Sequence, residues 1–443
     1  MIEIDRRQLA RGFAAALSLG ALVRPRAARA AAGGRVVVVG GGPGGATLAV
    51  TLKRAAPQLS VTLIEPQRQY ISCFYSNHVI GGSFSLGRIT NGYDGLVALG
   101  IDVVHDRAAA IDLERREVRL AEGARLPYDR LAVAPGIGFK FDAIAGYTEA
   151  AREIMPHAWS GGEQVRILRA RLEAMEDGGL VVVAAPRNPY RCPPGPYERA
   201  CLIANYLKRE KPRSKVVILD AKMAFSKQEL FEEAFARYYK GIIELRLTDD
   251  LDDMGVARVD AKTGEVETRS GEVFRAQLAN IIPDQTAGAI AREAGLAEGD
   301  WCPIKPESFQ SAVADDVYVL GDAAIATDMP KSAFSAASQA RGVAANILAD
   351  LTGAERPPAA YRNTCWSKLA PDDSVKIGAD YAPGKLKGKP ALVPIDPFIS
   401  KTGESAATRR ENYEDSLAWY QTLTDEMFAK PASTTGMHPG KRG

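Results

Sequence analysis

Five cysteines carry the most versatile chemistry in this 443-residue chain: Cys73, Cys192, Cys201, Cys302 and Cys365. Thiolates open disulfides, carry sulfane sulfur and bind metals, and their surroundings decide which of these they do. Five in this length is far below the density of a disulfide scaffold, and an odd count leaves at least one sulfur whose use needs explaining. Cys192 sits in the stretch Pro186-Arg-Asn-Pro-Tyr-Arg-Cys-Pro-Pro-Gly-Pro-Tyr-Glu198. Its prolines stiffen the loop and would hold a sulfur against a cofactor without an ordering cost at each turnover. Glu198 follows where the start of a helix could return its carboxylate to the same pocket as an acid or base. A glutamate in a first helical turn also complements the helix dipole, so both roles are open. His78, His105 and His157 lack metal-ligand spacing and His438 lies in a polar tail, so no metal site is expected. The acidic run at Asp249, Asp250, Asp252 and Asp253 does not match a calcium loop and reads as a solvated turn.

Redox chemistry at sulfur would need an electron acceptor, and the chain carries elements that could hold one. Arg35-Val-Val-Val-Val39 has the continuous β-branched pattern of a buried parallel strand. Gly40-x-Gly42-x-x-Gly45 follows, then a helical segment over Ala46 to Ala56 and a second strand over Val61 to Ile64 that ends at Glu65. The first glycine permits the tight turn, the second lets a pyrophosphate approach the backbone, and the third lets helix and strand pack closely. Glu65 is placed to accept hydrogen bonds from an adenosine ribose. Two later segments, Tyr128 to Gly136 and Val317 to Asp322, are strands running into small-residue turns. They resemble the later FAD motifs of flavoproteins with two dinucleotide domains. That resemblance implies FAD, with Gly136 in one turn and Asp322 on the ribityl chain. Pro330-Lys331-Ser-Ala-Phe334 opens a helix whose N-terminal dipole would face the flavin pyrimidine and favour the anionic reduced ring, and Lys331 joins the cofactor-binding set.

Between these pieces, Leu180 to Ala185 and Lys215 to Asp220 read as neighbouring buried strands of a second unit. The proline-rich loop after the first cannot bring its backbone close to a pyrophosphate. The unit is therefore read as a Rossmann shell without NAD(P), and the substrate as reducing the flavin directly. The fold class that follows is α/β, with two Rossmann-like dinucleotide-binding domains of the FAD/NAD(P)-linked disulfide reductase kind and a C-terminal α+β domain. The expected boundaries are 34–146 with 280–355 for FAD, 147–279 for the empty shell, 356–430 for the C-terminal domain, and a disordered tail over 431–443. Within the C-terminal domain, short strands and a Pro/Gly-rich stretch over Ala382 to Pro397 precede an amphipathic helix over roughly Thr408 to Phe428.

The first thirty residues read as an export signal. Arg6-Arg7 precedes an apolar run, Phe13 to Val23, that is too short to span a bilayer, and Ala28-Arg-Ala30 suits a signal peptidase. Six Arg against Glu3 and Asp5 give this leader +4, so the remainder of a chain with net charge +2 stands at −2. That charge argues against nucleic acid as a partner. The twin-arginine route carries folded proteins, which suits a cofactor loaded before export to the periplasm. No later stretch is long and apolar enough to span a membrane.

Ser72-Cys-Phe-Tyr-Ser-Asn-His-Val-Ile-Gly-Gly82, Arg191-Cys-Pro-Pro-Gly-Pro-Tyr-Glu198 and Asn363-Thr-Cys-Trp366 resemble the flavoprotein subunit of flavocytochrome c sulfide dehydrogenase, over essentially all of the chain beyond the leader. The resemblance implies a thioether from Cys73 to the flavin 8α position and a redox disulfide between Cys192 and Cys365. It implies hydrosulfide as substrate, oxidised to sulfane sulfur, and a c-type cytochrome subunit as electron acceptor in a heterodimer. The residues alone leave Cys73 open as a buried structural thiol and the pair open as an ordinary stabilising bridge. Cys201 and Cys302 are open as buried thiols or a second bridge. The chain has no C-x-x-C-H haem attachment sequence of its own. Two other functions fit the same elements: a sulfide:quinone oxidoreductase, which would need an apolar surface or membrane-lying helix, and a non-catalytic flavin-binding or sulfur-carrier subunit. The acidic residues along the last helix, among them Glu411, Glu414, Asp415, Asp425 and Glu426, disfavour an anionic membrane surface.

Overall fold

The computed structural model describes residues 34–248 and 253–430. The leader, the C-terminal tail and Asp249, Asp250 and Asp252 lie outside the described residues.

The valine run forms β1 (Arg35–Val39), with all four valines buried, and the glycine turn leads into α1 (Pro43–Ala55) and β2 (Ser60–Ile64). Two more strands of this sheet, β3 (Asp102–Val104) and β4 (Arg130–Val133), precede the second unit. That unit is built on β5 (Leu180–Ala185), α2 (Gly195–Glu210), β6 (Lys215–Asp220), β7 (Ile243–Leu247) and β8 (Leu278–Ile281). The chain then returns to the first sheet as β9 (Val317–Val319) and α3 (Ala333–Thr352). Both sheets are parallel throughout, in the orders β9-β4-β1-β2-β3 and β7-β6-β5-β8. Strands covered by helices on both faces need continuous apolar sequence, which is what these runs carry. In such sheets the strand order reverses beside the first strand, and ligands bind in the crevice outside the carboxyl ends there. The glycine turn after β1 occupies that position.

The C-terminal region differs from the sequence expectation. Instead of short strands and an irregular Pro/Gly stretch, it is an antiparallel sheet of three long strands, β10 (Tyr361–Ala370), β11 (Asp373–Leu386) and β12 (Lys389–Ile399). β11 and β12 are joined by the two-residue turn Lys387-Gly388, both with positive φ, as a right-twisting hairpin requires. Three of the prolines that argued against strand lie on β12, an edge strand, where a missing N–H on the outer side breaks no ladder. The last helix, α4 (Ala406–Met427), is capped by Ser405, whose side chain accepts from the Thr408 N–H at 3.1 Å. Its buried face is not an apolar stripe. Arg409, Asn412 and Ser416 are buried in its first half and Tyr420, Leu423 and Met427 in its second, packed towards β11 and α1. The segment is thus a one-sided helix as expected, but its inward face is polar in the first half and apolar only in the second. Arg409, 3% exposed, forms ion pairs with Glu233, Asp373 and Glu404, the pairing that a buried charge demands. No helix of the described residues is long and apolar enough to cross a membrane.

One apolar core fills the first sheet with α1 and α3, and another fills the second with α2. Phe74 and Trp419 pack against both, with ring centroids 6.0 Å apart. The site lies at this junction.

Candidate functional site

One cavity of about 310 Å³ opens between the two units. Gly40, Gly42, Glu65, Cys73, Gly136, Cys192, Glu198, Asp322 and Cys365, all chosen from sequence, line it together, while Gly45 and Lys331 stand behind its walls. Their convergence comes from five separate segments of the chain.

The end beside β1 is shaped for a dinucleotide. A Cβ on Gly45 would lie 1.8 Å from the carbonyl oxygen of Gly40, so α1 can approach the turn only through glycine. Glu65 accepts the Gly41 and Gln67 N–H groups, each at 2.9 Å, which fixes its carboxylate at the end of β2. Farther along, Asp322 and Arg191 face each other at 3.6 Å, yet Oδ1 of Asp322 and Nη2 of Arg191 are buried with no hydrogen-bond partner in the protein. Burial pushes the Asp322 carboxyl above its ordinary range, against the opposing pull of Arg191 and Lys331. Orphaned buried groups of this kind call for a ligand, and a ribityl or phosphate chain would satisfy both. α3 begins at the same wall: Ser332 caps it by accepting from the Ser335 N–H at 3.0 Å, and its first turn lines the cavity. The residues present therefore fit FAD. Lys331 takes a different part from the one expected of it. Its ammonium donates to the carbonyls of Asp322 and Ala324 at 2.8 and 2.7 Å and lies 3.8 Å from the centre of the Trp301 ring, so it braces the Asp322 turn from behind.

No two of the five cysteines are joined to each other in this structure. Cys73, at the entrance to the short helix Ser76–Ile80, lies 3.8 Å from the Tyr70 hydroxyl and within electrostatic reach of Arg191. Cys192 is held in the left-handed region (φ 57°), donating its N–H to the Lys331 carbonyl and accepting that of Gly195, both at 2.8 Å. Gly195 has no room for a side chain: a Cβ there would stand 2.6 Å from Trp159 and 3.0 Å from the Cys192 sulfur. Cys365 enters from β10. Burial, then the neighbouring Cys365 and Glu198, push the Cys192 thiol well above its usual pKa. Cys201 and Cys302 belong to separate apolar cores, so the structure makes them individual buried thiols and rules out a bridge between them.

Glu198, in the first turn of α2, is held from two sides. Asn77 Nδ2 donates to its Oε2 and the Lys368 backbone N–H to its Oε1, both at 2.8 Å. Arg199, fully buried, in turn clamps Asn77, Asn280 and the carbonyls of His157 and Ala158. Four functional neighbours escaped the sequence reading: Arg191, Asn77, Lys227 and Lys368. Lys227 and Lys368 are 4% and 3% exposed, and burial lowers both ammonium pKa values. Arg191 and Asn77 lie within the quoted cysteine motifs and Lys368 adjoins one, a signal that was available. Lys227 carries none, since only tertiary packing brings its ammonium to the Cys365 carbonyl at 2.9 Å.

Comparison with known proteins agrees with this geometry. Residues 165–283 match the model for the central part of the sulfide dehydrogenase [flavocytochrome c] flavoprotein chain, and residues 357–428 that for the flavocytochrome c sulphide dehydrogenase flavin-binding region. Residues 34–160 match the pyridine nucleotide-disulphide oxidoreductase model. A mitochondrial sulfide:quinone oxidoreductase of Mus musculus is 22% identical over 72% of this chain and 71% of that protein. Among solved structures, the sulfide:quinone oxidoreductase of the hyperthermophilic bacterium Aquifex aeolicus shares the fold with a TM-score of 0.70 at 19% identity, over 90% of this chain and 93% of that one. A putidaredoxin reductase in covalent complex with putidaredoxin follows at a TM-score of 0.63 and 17% identity, over 89% and 98%. The central and flavin-binding regions of this chain thus match the flavoprotein chain of flavocytochrome c sulfide dehydrogenase, with the disulfide oxidoreductase fold before them, and over these segments the chain is similar to flavin oxidoreductases that act on sulfide.

Proposed function

We propose that this chain oxidises hydrosulfide to sulfane sulfur at the Cys192 and Cys365 pair and passes the electrons through FAD to a c-type cytochrome subunit. The observation that carries this reading is the meeting of Cys192, Cys365 and Glu198 in the same cavity as the dinucleotide turn and Asp322. FAD held by Gly40, Gly42, Glu65, Gly136 and Asp322, with Cys73 as its covalent 8α attachment, would supply the two-electron acceptor. Hydrosulfide attacks one sulfur of a Cys192–Cys365 disulfide, forming a persulfide there and freeing the other cysteine as thiolate. A second hydrosulfide takes the outer sulfur away as hydrogen disulfide. Two cysteine thiolates remain, and their reclosure to the disulfide gives up two electrons. Glu198 takes or returns the proton of the raised Cys192 thiol in this exchange.

Reduction by sulfide rather than NAD(P)H is supported by the second unit. β6 ends at Asp220, where a nucleotide-binding unit keeps a carboxylate for ribose. Here that carboxylate is fully buried, accepts the Tyr197 hydroxyl at 2.5 Å and is ion-paired with Lys222. The cytochrome acceptor follows from the family and from the lack of a haem attachment sequence in the chain. Export to the periplasm by the twin-arginine route rests on Arg6-Arg7 and the run after it. The similarity to two sulfide:quinone oxidoreductases favours membrane quinone as the second acceptor reading.

Cys192→Ser tests the centre: it should keep its flavin and lose sulfide-dependent flavin bleaching, and unchanged bleaching defeats the proposal. Reduced native protein offered cytochrome c or a quinone analogue separates the acceptors.

A further inference from the structure

Lys368 is the anomaly of the cavity. It lines the chamber shared by Cys192, Cys365 and Glu198 and is 3% exposed. Its ammonium lies 4.0 Å from the centre of the Tyr75 ring, and among the described residues it has no direct hydrogen bond or ion pair: Glu198, which its backbone N–H holds, and Cys365 act on it only through space. A buried ammonium with no counter-charge in direct contact is costly, and such groups are rarely retained unless something pairs with them. The neighbouring lysine is not in this state. Lys227 is committed to the Cys365 carbonyl and does not line the cavity. The ring face holds the ammonium in place and leaves its counter-charge to come from the cavity side.

We propose that Lys368 anchors a sulfur-anion subsite, in which its ammonium receives hydrosulfide beside Cys365 and Cys192 and holds the sulfane anion that leaves. This rests on the sulfide-oxidising reading and adds a positioning residue to it. Lys368 supplies the counter-charge, so the nucleophile arrives ionised and oriented. Lys368 transfers no electrons and makes no covalent bond.

The test uses the holoprotein and thiocyanate, a soft monoanion that neither reduces flavin nor opens a disulfide. In native protein, thiocyanate should compete with sulfide for flavin reduction. Lys368→Met should raise the sulfide KM at least tenfold and weaken thiocyanate inhibition by a similar factor, with kcat changed less than threefold, and Lys368→Arg should recover most of both. Lys368→Met should also melt no lower than native, because it removes a buried charge that no counter-charge contacts directly. Native KM and native thiocyanate inhibition in Lys368→Met overturn the proposal, as does a lower melting temperature with KM unmoved. If Lys368→Met does not retain flavin, the native protein decides: thiocyanate inhibition that is absent or non-competitive overturns it. Absence of sulfide-dependent flavin reduction in native protein would instead defeat the functional reading itself.

Discussion

Asn77 joins Glu198 to Arg199, donating through Nδ2 to the carboxylate at 2.8 Å and accepting through Oδ1 from the guanidinium at 2.9 Å. Arginine can only donate and a carboxylate can only accept, so the orientation of the amide is dictated by its two neighbours. A structural clamp and a reactive acid thus share one side chain. Asn77→Leu should cost about 1–3 kcal/mol, the usual loss when buried polar partners are left unsatisfied. It should also lower kcat/KM for sulfide on the order of tenfold by releasing Glu198. Chemical denaturation and stopped-flow flavin bleaching read the two effects, and a stable variant with native kinetics would contradict the clamp.

Glu198→Gln keeps the shape and removes the charge. As a proton carrier Glu198 is worth roughly 10²–10⁴ in rate, and kcat/KM for sulfide should fall within that range. Its negative charge also helps to hold the Cys192 thiol protonated. Removing it should shift the ionisation of Cys192 to lower pH in the reduced protein. Alkylation of Cys192 by iodoacetamide against pH measures that shift, and a shift in the opposite direction would contradict the electrostatics.

Cys73 lies within the cavity wall on the same side as Arg191 and Tyr70. If it carries the flavin, a peptide containing Cys73 should hold the flavin mass after denaturation and digestion. Cys73→Ser should release free FAD on denaturation while keeping its fold. FAD released from the native protein would remove the covalent attachment and leave the binding site standing.

Burial pulls the Lys331 ammonium from 10.5 down to about 8. Between those values the unfolded chain binds a proton that the folded chain lacks, so this group adds stability as pH rises across the window. The strain of the buried charge is fully present below about pH 8. Lys331→Met should lose this share of the rise, which shows as a flatter dependence of the denaturation midpoint on pH from 8 to 10.5 than in native protein. An identical slope would mean that Lys331 keeps an ordinary pKa.

Local pattern was enough for the parallel strands, the glycine turn and the acid at the end of β2, because a buried strand needs a continuous apolar run and a pyrophosphate needs a bare backbone. The cysteine motifs likewise carried the family in plain view. Other features depended on contacts between distant segments. β12 hides behind its prolines because edge position, unknowable from composition, removes the penalty for a missing N–H, and Pro383 of β11 lies beyond the last residue paired with β10. Lys331 reads as a flavin ligand from its place at the head of α3, yet Asp322, Ala324 and Trp301 draw its ammonium behind the wall. Lys227 comes from the start of a helix after β6 and Lys368 from β10, and both reach the sulfurs only when the C-terminal sheet packs against α2. Burial and the partners it provides or withholds set the state of every ionisable group here, and those belong to the packed chain rather than to any stretch of it.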